Sequence, residues 1–275
     1  MKKILISNVV GGIGNQLFCY CCGYCAAKKT NSKFYIDISS FNHYFRKYEI
    51  DRLNIRYDGI VRSRFIHYII EFIFFKHVIK EKHDRIFQKD IYNNDNIKIL
   101  KGYFQSDKYI IYKNDILKQF KLSKIEDRLL VDSFVCSIPK NSVSIHVRRG
   151  DYVNGNMSLN ISYYKKAIEK MNEKLNNASY IFFSDDIEYV KRNFDFDNNQ
   201  NYHLVSDYIK LDDDLINLFL MSSCDNQIIA NSTYSWWSAF LNTNNNKITI
   251  APMIEYLYET DCYPTDWITI DAEVG

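Results

Sequence analysis

Three prolines in 275 residues leave no room for a proline-rich linker. Long apolar runs are missing as well, and no stretch reaches the roughly 20 residues that a bilayer-spanning helix needs. The opening MKKILISNVVGGIGNQLF carries two lysines ahead of an apolar run. Ser7, Asn8 and the glycines interrupt that run, and no small-residue cleavage site follows, so it reads as a strand and turn rather than a secretion signal. Excess charge of one sign is absent too: 35 basic and 33 acidic side chains leave a net charge of +2. No broad field draws in nucleic acid, and any anion has to be gripped by a local cluster. The glycine turn at 11–14 matches neither G-x-G-x-x-G nor G-x-x-x-x-G-K-[ST], which excludes the dinucleotide and Walker-type phosphate loops.

Cysteine is present but has the wrong arrangement for a disulfide framework or a zinc site. Seven is an odd number, and four of the seven crowd into Cys19, Cys21, Cys22 and Cys25 with no second set of ligands downstream. They read as small apolar residues on a buried helix. Free thiols fit a reducing compartment, so the expected location is cytoplasmic. Hydrophobic residues at 47% and charged residues at 25% describe an ordinary globular chain. Its length suits one large α/β domain or two of normal size.

Along the chain, residues 3–10 read as a buried strand, 11–14 as a turn, 15–29 as a helix and 33–38 as a second strand. That opening is the signature of an open parallel sheet. Residues 61–80, VRSRFIHYIIEFIFFKHVIK, read as an amphipathic helix packed into the core. The alternative is an interfacial helix resting on the inner face of a membrane that carries a lipid-linked substrate. Residues 84–100 are rich in Asn and Asp and read as a surface loop or hairpin. The second half keeps a strand-helix rhythm, with strands at 142–147, 180–184, 202–205, 227–230 and 247–251. Alternation of this kind predicts a parallel, doubly wound sheet. The domain boundary falls near 135, giving units 1–135 and 136–275, with the last helix returning to the first.

In such sheets ligands sit beyond the carboxyl ends of the strands. Three strand ends in the second half carry polar clusters: His146 to Tyr152 (HVRRGDY), Phe183 to Asp186 (FSDD), and Asn231 to Trp237 (NSTYSWW). Parallel topology puts all three on one rim. Adjacent Arg148 and Arg149 supply the planar, bidentate donors that a diphosphate needs. Ser232, Thr233 and Ser235 open a helix whose N-terminus favours phosphate. A strand-end carboxylate can accept from guanine or ribose, and a nearby His can bond either. Each cluster alone is equally a turn, an ion pair or a helix cap; the three together describe a nucleoside-diphosphate pocket. In the first half, Asn15 and Gln16 are expected to face a cleft between the two halves. Two Asp-x-Asp pairs, 195–197 and 212–214, resemble metal-holding pairs, but acids ahead of a helix are ordinary caps.

At these residues the sequence resembles the α-1,2-fucosyltransferase family of bacterial and animal glycan synthesis. The carrying segments are GGIGNQLF at 11–18, GYFQSDKY at 102–109, HVRRGDY at 146–152, FSDD at 183–186 and NSTYSWWSAFL at 231–241, in the family's order. The resemblance implies a GT-B architecture: α/β, two facing Rossmann-like domains with parallel sheets, an acceptor-side N-terminal one and a C-terminal one that holds GDP-fucose. It also implies inversion at the anomeric carbon and no required metal or other cofactor. By the same resemblance, Arg148 is the diphosphate arginine and Arg149 its support. His146 and Asp185 contact guanosine, with Ser184 and Asn231 beside them. Ser232, Thr233 and Ser235 contact phosphate, and Asn15 lies near fucose or acceptor. Asp151 is either the base that takes the acceptor proton or an orienter of Arg149. The implied acceptor is a galactose-containing glycan, for O-antigen or capsule synthesis or as a free oligosaccharide, with lipid linkage left open. Another GDP-sugar transferase, a peptide O-fucosyltransferase and a nucleotide-sugar-binding protein without transfer activity are the competing readings.

Overall fold

Alternation of short apolar strands with helices produces two parallel sheets in the computed structural model, which describes residues 3–93, 99–211 and 213–275. Two units result: Met1–Ser123 with Thr260–Pro264, and Lys124–Glu259 with Thr265–Gly275. The first unit runs β1 (Ile4–Asn8), α1 (Ile13–Lys29), β2 (Lys33–Asp37), β3 (Gly59–Val61), α2 (Arg64–Ile73), β4 (Val78–Lys80), α3 (Asp90–Asn93), β5 (Ile99–Lys101) and α4 (Lys113–Gln119). Its five-stranded sheet has the order β3-β2-β1-β5-β4, and every pairing is parallel. β1 lies at its centre, and its continuous apolar run is what a strand covered on both faces requires.

Gly11 turns the chain from β1 into α1 with a left-handed φ of +84°, where a Cβ would strike the Asn15 side chain at 2.8 Å. α1 is buried along most of its length. Its four cysteines are all free and buried. Burial pushes the Cys19 thiol up to about 12 and Cys25 to about 11, and Cys21 and Cys22 are raised well above their ordinary value. These are inert packing residues, as their spacing suggested. Gly23 is where the helix comes closest to the sheet: a Cβ there would lie 2.5 Å from Ser7 Cβ and 2.7 Å from the Phe34 ring.

Residues 61–80 depart from the expected core helix. α2 occupies only the middle of the segment, a 3-10 turn at Phe75–His77 follows, and the end is β4, an edge strand paired with β5. No α2 residue is buried. The polar segment expected as a loop contains α3, whose Ile91 is fully buried, while residues 94–98 lie outside the described residues.

The second unit runs α5 (Ile125–Ser137), β6 (Ser142–Val147), α6 (Gly150–Asn154), α7 (Ile161–Asn172), β7 (Ser179–Ser184), α8 (Ile187–Asn193), β8 (Tyr202–Leu204), α9 (Asp214–Ser223), β9 (Asn226–Ile228), α10 (Thr233–Leu241), β10 (Thr249–Met253) and β11 (Ile268–Asp271). Its sheet order is β11-β10-β9-β6-β7-β8, again all parallel. Counted from β6 as the first strand, this is the 3-2-1-4-5-6 order of the Rossmann fold, and its topological switch point lies between β6 and β9. α5 belongs to this unit, so the division falls after Ser123 rather than near 135. The cause is Phe134, which packs edge-on against Phe183 and Tyr208. The chain ends in β11 rather than a returning helix. What groups with the first unit is the short stretch 260–264, where Asp261 accepts from the Phe87 N–H at 2.9 Å and pairs with Lys108.

The α1 contact yields a stability prediction. Gly23→Ala raises helix propensity by about 1 kcal/mol, but the added methyl overpacks a site that costs about 1–3 kcal/mol to open. The urea unfolding midpoint is expected to fall; an unchanged or higher midpoint contradicts the close approach.

Candidate functional site

Parallel pairing brings three strand ends side by side in the second unit, because β6 is flanked by β7 on one side and β9 on the other. The chain leaves β6 through Arg148 and Arg149. Arg148 is forked between two carboxylates: Nη1 reaches Asp185 Oδ2 at 2.7 Å and Nη2 donates to Asp151 Oδ1 at 2.6 Å. Burial weighs against the charge of Arg148, yet Asp185 and Asp151 outweigh it and raise the pKa further. Arg149 points elsewhere. Its guanidinium lies 3.8 Å above the Tyr189 ring, Nη1 donates to Ser158 Oγ at 3.0 Å, and Nε stands 3.8 Å from Asp186. Asp151 therefore orients Arg148, not Arg149.

Asp185 ties this turn together. Its Oδ1 accepts the Arg149 backbone N–H at 2.8 Å while Oδ2 holds Arg148. A Cβ on Gly150 would come within 2.6 Å of that same Oδ2, so the glycine leaves room for the carboxylate. Both oxygens of Asp185 are engaged by the arginine turn, so the residue expected to contact guanosine also holds Arg148 in place. Ser184 is likewise occupied, donating to the Val147 carbonyl at 2.8 Å and accepting the Asp186 N–H at 3.0 Å.

Beyond β9, Ser232 caps α10 and accepts the Tyr234 N–H at 3.3 Å. Thr233 is the first residue of that helix and is half-buried. The helix start presents backbone N–H groups and a favourable dipole to an anion. Ser235 does not join them. It is fully buried, accepts from the Ala230 N–H at 3.1 Å, and serves the turn rather than a ligand. Asn231 donates to the Met157 carbonyl at 2.9 Å, and its buried Oδ1 has no hydrogen-bond partner among the described residues. Tyr152, missed in the sequence reading as a site residue, bonds Ser232 through its hydroxyl and stacks near Arg148, linking the β6 and β9 turns. Only its place in the HVRRGDY run signalled it.

His146 sits under this rim at 5% exposure, its ring 5.3 Å from that of Tyr234. Burial, reinforced by Arg148, pulls its pKa down to about 3, so it is neutral near pH 7. Its Nδ1 is buried without a hydrogen-bond partner among the described residues. Buried polar atoms are rarely left unpaired, so an orphan beside an arginine cluster marks a position where a ligand group can complete the bonding.

In the first unit, Asn15 and Gln105 meet at the corresponding switch point, where β1 and β5 adjoin. Gln105 Nε2 donates to Asn15 Oδ1 at 2.9 Å, and Gln105 Oε1 accepts from Arg85 Nε at 2.9 Å. Glu81 supports this turn by accepting the Tyr103 and Phe104 N–H groups. Gln105 and Arg85 went unassigned in the sequence reading, although Gln105 lies inside GYFQSDKY. Gln16 is fully buried and bonded to the Gly11 and Lys47 carbonyls and the Glu49 N–H, so it braces the loop instead of facing a ligand.

Neither Asp-x-Asp pair forms a ligand cluster. Asp195 is bonded to Asn198, Asp213 caps α9 by accepting the Ile216 N–H at 3.0 Å, and Asp212 lies outside the described residues. Among the described residues no group of three or more His, Cys, Asp or Glu side chains is placed to hold a metal ion.

The family described as Glycosyl transferase family 11 matches residues 8–271. An alpha-1,2-colitosyltransferase of Escherichia coli is 29% identical over 298 residues, covering 98% of this chain and 99% of its own. The O-antigen biosynthesis glycosyltransferase WbnK of Escherichia coli is also 29% identical, covering 90% of this chain and 93% of its own. Among solved structures, the fucosyltransferase NodZ from Bradyrhizobium superposes with a TM-score of 0.54 over 88% of this chain and 94% of that one, at 13% identity. The fold is therefore the GT-B α/β fold of two Rossmann-like units.

The buried histidine gives a pH prediction. Its folded pKa is depressed, so its contribution to stability is complete above the unfolded value of about 6.5 and is lost as pH falls towards about 3. Urea midpoints measured at pH 7.5 and pH 5 should show the wild type losing more stability on acidification than His146→Gln. Equal losses in the two proteins contradict a buried neutral imidazole.

Proposed function

The chain belongs to glycosyl transferase family 11, and we propose that it moves L-fucose from GDP-fucose to the 2-hydroxyl of a galactose-containing acceptor, with inversion at the anomeric carbon. The observation that carries this reading is the forked Arg148, held by Asp185 and Asp151 at the switch point of the second sheet and joined through Tyr152 to the start of α10. A guanidinium fixed in this way is preorganised for a diphosphate, and the helix start adds donors at the same rim. His146 Nδ1 and Asn231 Oδ1 are free to complete their bonding on the nucleoside.

The reaction is a single displacement. The acceptor hydroxyl attacks the anomeric carbon, the bond to the β-phosphate oxygen breaks, GDP leaves with the bonding pair, and the hydroxyl proton passes to water or to the departing phosphate. Negative charge grows on the β-phosphate, so a fixed cation there lowers the barrier more than it tightens ground-state binding. Arg148 and a helix N-terminus supply that charge, with Arg149 bracing the turn behind it, and no divalent ion is required in this scheme. Asp151 keeps Arg148 aimed, and Asn15 serves the sugar side of the reaction. The acceptor is a unit of O-antigen or capsule assembled in the cytoplasm. Colitose is the second donor reading, favoured by the name and full-length similarity of the colitosyltransferase.

Purified protein incubated with GDP-fucose, a panel of β-galactosides and, in parallel, chelator tests this directly. A 2-linked fucoside formed equally with and without chelator is expected. GDP binding without transfer to any galactoside supports a binding protein instead, and transfer from GDP-colitose alone supports the second donor.

Arg148→Ala is expected to cut kcat by about 30-fold or more, corresponding to the loss of about 2–5 kcal/mol for a half-buried, paired charge. Arg148→Lys should recover only part of this, since an ammonium cannot fork. Turnover near wild type in a folded Arg148→Ala protein removes the arginine from the mechanism. For Asp151→Asn the orienting role predicts reduced kcat with the acidic limb of the pH–rate profile retained; loss of that limb makes Asp151 the base.

A further inference from the structure

α2 is amphipathic with its faces reversed. Its polar residues are the ones turned to the protein: His67 Nδ1 lies 2.5 Å from Asp37 Oδ2 and Nε2 lies 3.5 Å from Glu71, which also pairs with Lys101. Its apolar residues are the ones turned out. Phe65 is 73% exposed, Phe72 83%, and Phe75 in the following turn 66%, with Ile66, Tyr68, Ile69 and Ile73 exposed among them. The 3-10 turn at Ser39–His43 packs alongside, with Asn42 donating to the Arg62 carbonyl, and the next residues include the exposed Phe45. A contiguous aromatic face of this kind is uncommon on a free surface and marks an interaction site.

The exposed charges flanking the face are mostly basic, with Asp84 the exposed acid in the segment after β4. Arg62, Arg64, Lys76, Lys80 and Lys82 are exposed, whereas Glu71 is spent on His67 and Lys101, and Glu81 on backbone N–H groups of 103 and 104. An isologous contact with a second copy brings these basic rims towards one another, which disfavours dimerisation through this face. At ten residues α2 is about 15 Å long, half of the roughly 30 Å of a bilayer core. Among the described residues no helix is long and apolar enough to cross a membrane. A short helix with aromatic residues outward and lysine and arginine at its margins is instead suited to lie flat in the headgroup region, with the basic stems reaching lipid phosphates.

We propose that the outward face of α2 and the turn after it is a docking surface for an anionic lipid bilayer. Internal ion pairing holds the helix polar side down, so the apolar side is presented ready-formed.

Flotation of the full chain with vesicles of phosphatidylcholine alone, or of phosphatidylcholine with phosphatidylglycerol, tests this. The wild type is expected to float with the phosphatidylglycerol vesicles and to lose most of that binding in high salt. The triple variant Phe65→Ser, Phe72→Ser, Phe75→Ser should bind at least about tenfold more weakly. Arg64→Glu with Lys76→Glu should likewise lose about tenfold or more on the anionic vesicles. Both variants should keep wild-type turnover on a soluble galactoside, so failure of the transfer reaction and failure of the lipid surface are told apart. As a measurement that removes no apolar bulk, the Phe72→Trp variant should show a blue shift of its added indole emission, taken as the difference from wild type, when anionic vesicles are present. A wild type left at the bottom of both gradients, a triple variant that floats like the wild type, or a Phe72→Trp difference emission that vesicles leave unmoved overturns the proposal. So does a dimer that the triple variant dissociates while no form of the protein floats.

Discussion

The site depends on one carboxylate. Asp185, delivered by the end of β7, holds the Arg148 guanidinium with one oxygen and the Arg149 backbone with the other. Two parallel strands are thereby joined beyond their last ladder bond, and the arginine side chain acquires a fixed direction. The geometry explains the neighbours as well. Gly150 has no Cβ because that carboxylate occupies the space, Ser184 locks its own turn to β6, and Asp186 begins the next helix by accepting the Tyr189 N–H. Held between two acids, the Arg148 guanidinium has a fixed direction, and the three groups together carry a formal charge of −1. An anion approaching this guanidinium would meet a donor whose direction is already set and would compete with Asp151, the more exposed of the two acids.

Much of this was legible from the residues. The second unit's strands β6, β7, β8 and β9, with helices α7, α8 and α9, stood out because buried parallel strands are short apolar runs bounded by polar turns, a pattern that survives without tertiary information; α6 did not. The polar clusters at 146–152, 183–186 and 231–237 were placed on one rim for the same reason. What the pattern does not encode is which member of a cluster faces ligand and which faces backbone. Ser235, Ser184, Gln16 and Asp185 are of the right type and in the right runs, yet they brace the turns. The distinction is made by a rotation of the side chain about the end of its strand, and spacing carries no record of it.

α2 failed for a different reason. Helical periodicity reports that one side is apolar and the other polar, and the inference that the apolar side faces inward is an added assumption. Here Asp37 at the end of β2 and Lys101 at the end of β5 offer polar partners to a helix passing over them: His67 meets the first and Glu71 the second. Desolvating those groups without partners would be costly, so the polar side is the one that docks. The end of the same apolar run becomes β4 because β5 has an open edge, a fact that belongs to the sheet and not to the segment.

The two sheets use the same device with different chemistry. In each, the crevice between the first strand and its out-of-order neighbour receives turn residues from both. In the second unit those turns carry guanidinium groups, a capped helix start and a neutral buried imidazole, which suits a multiply charged leaving group. In the first unit they carry carboxamides, with Asn15 and Gln105 bonded to each other and Gln105 steadied by Arg85. Amides donate and accept at fixed angles without the desolvation cost of a full charge, which suits the hydroxyl groups of a neutral sugar. The two crevices thus differ in chemistry although each lies where the strand order of its own parallel sheet reverses.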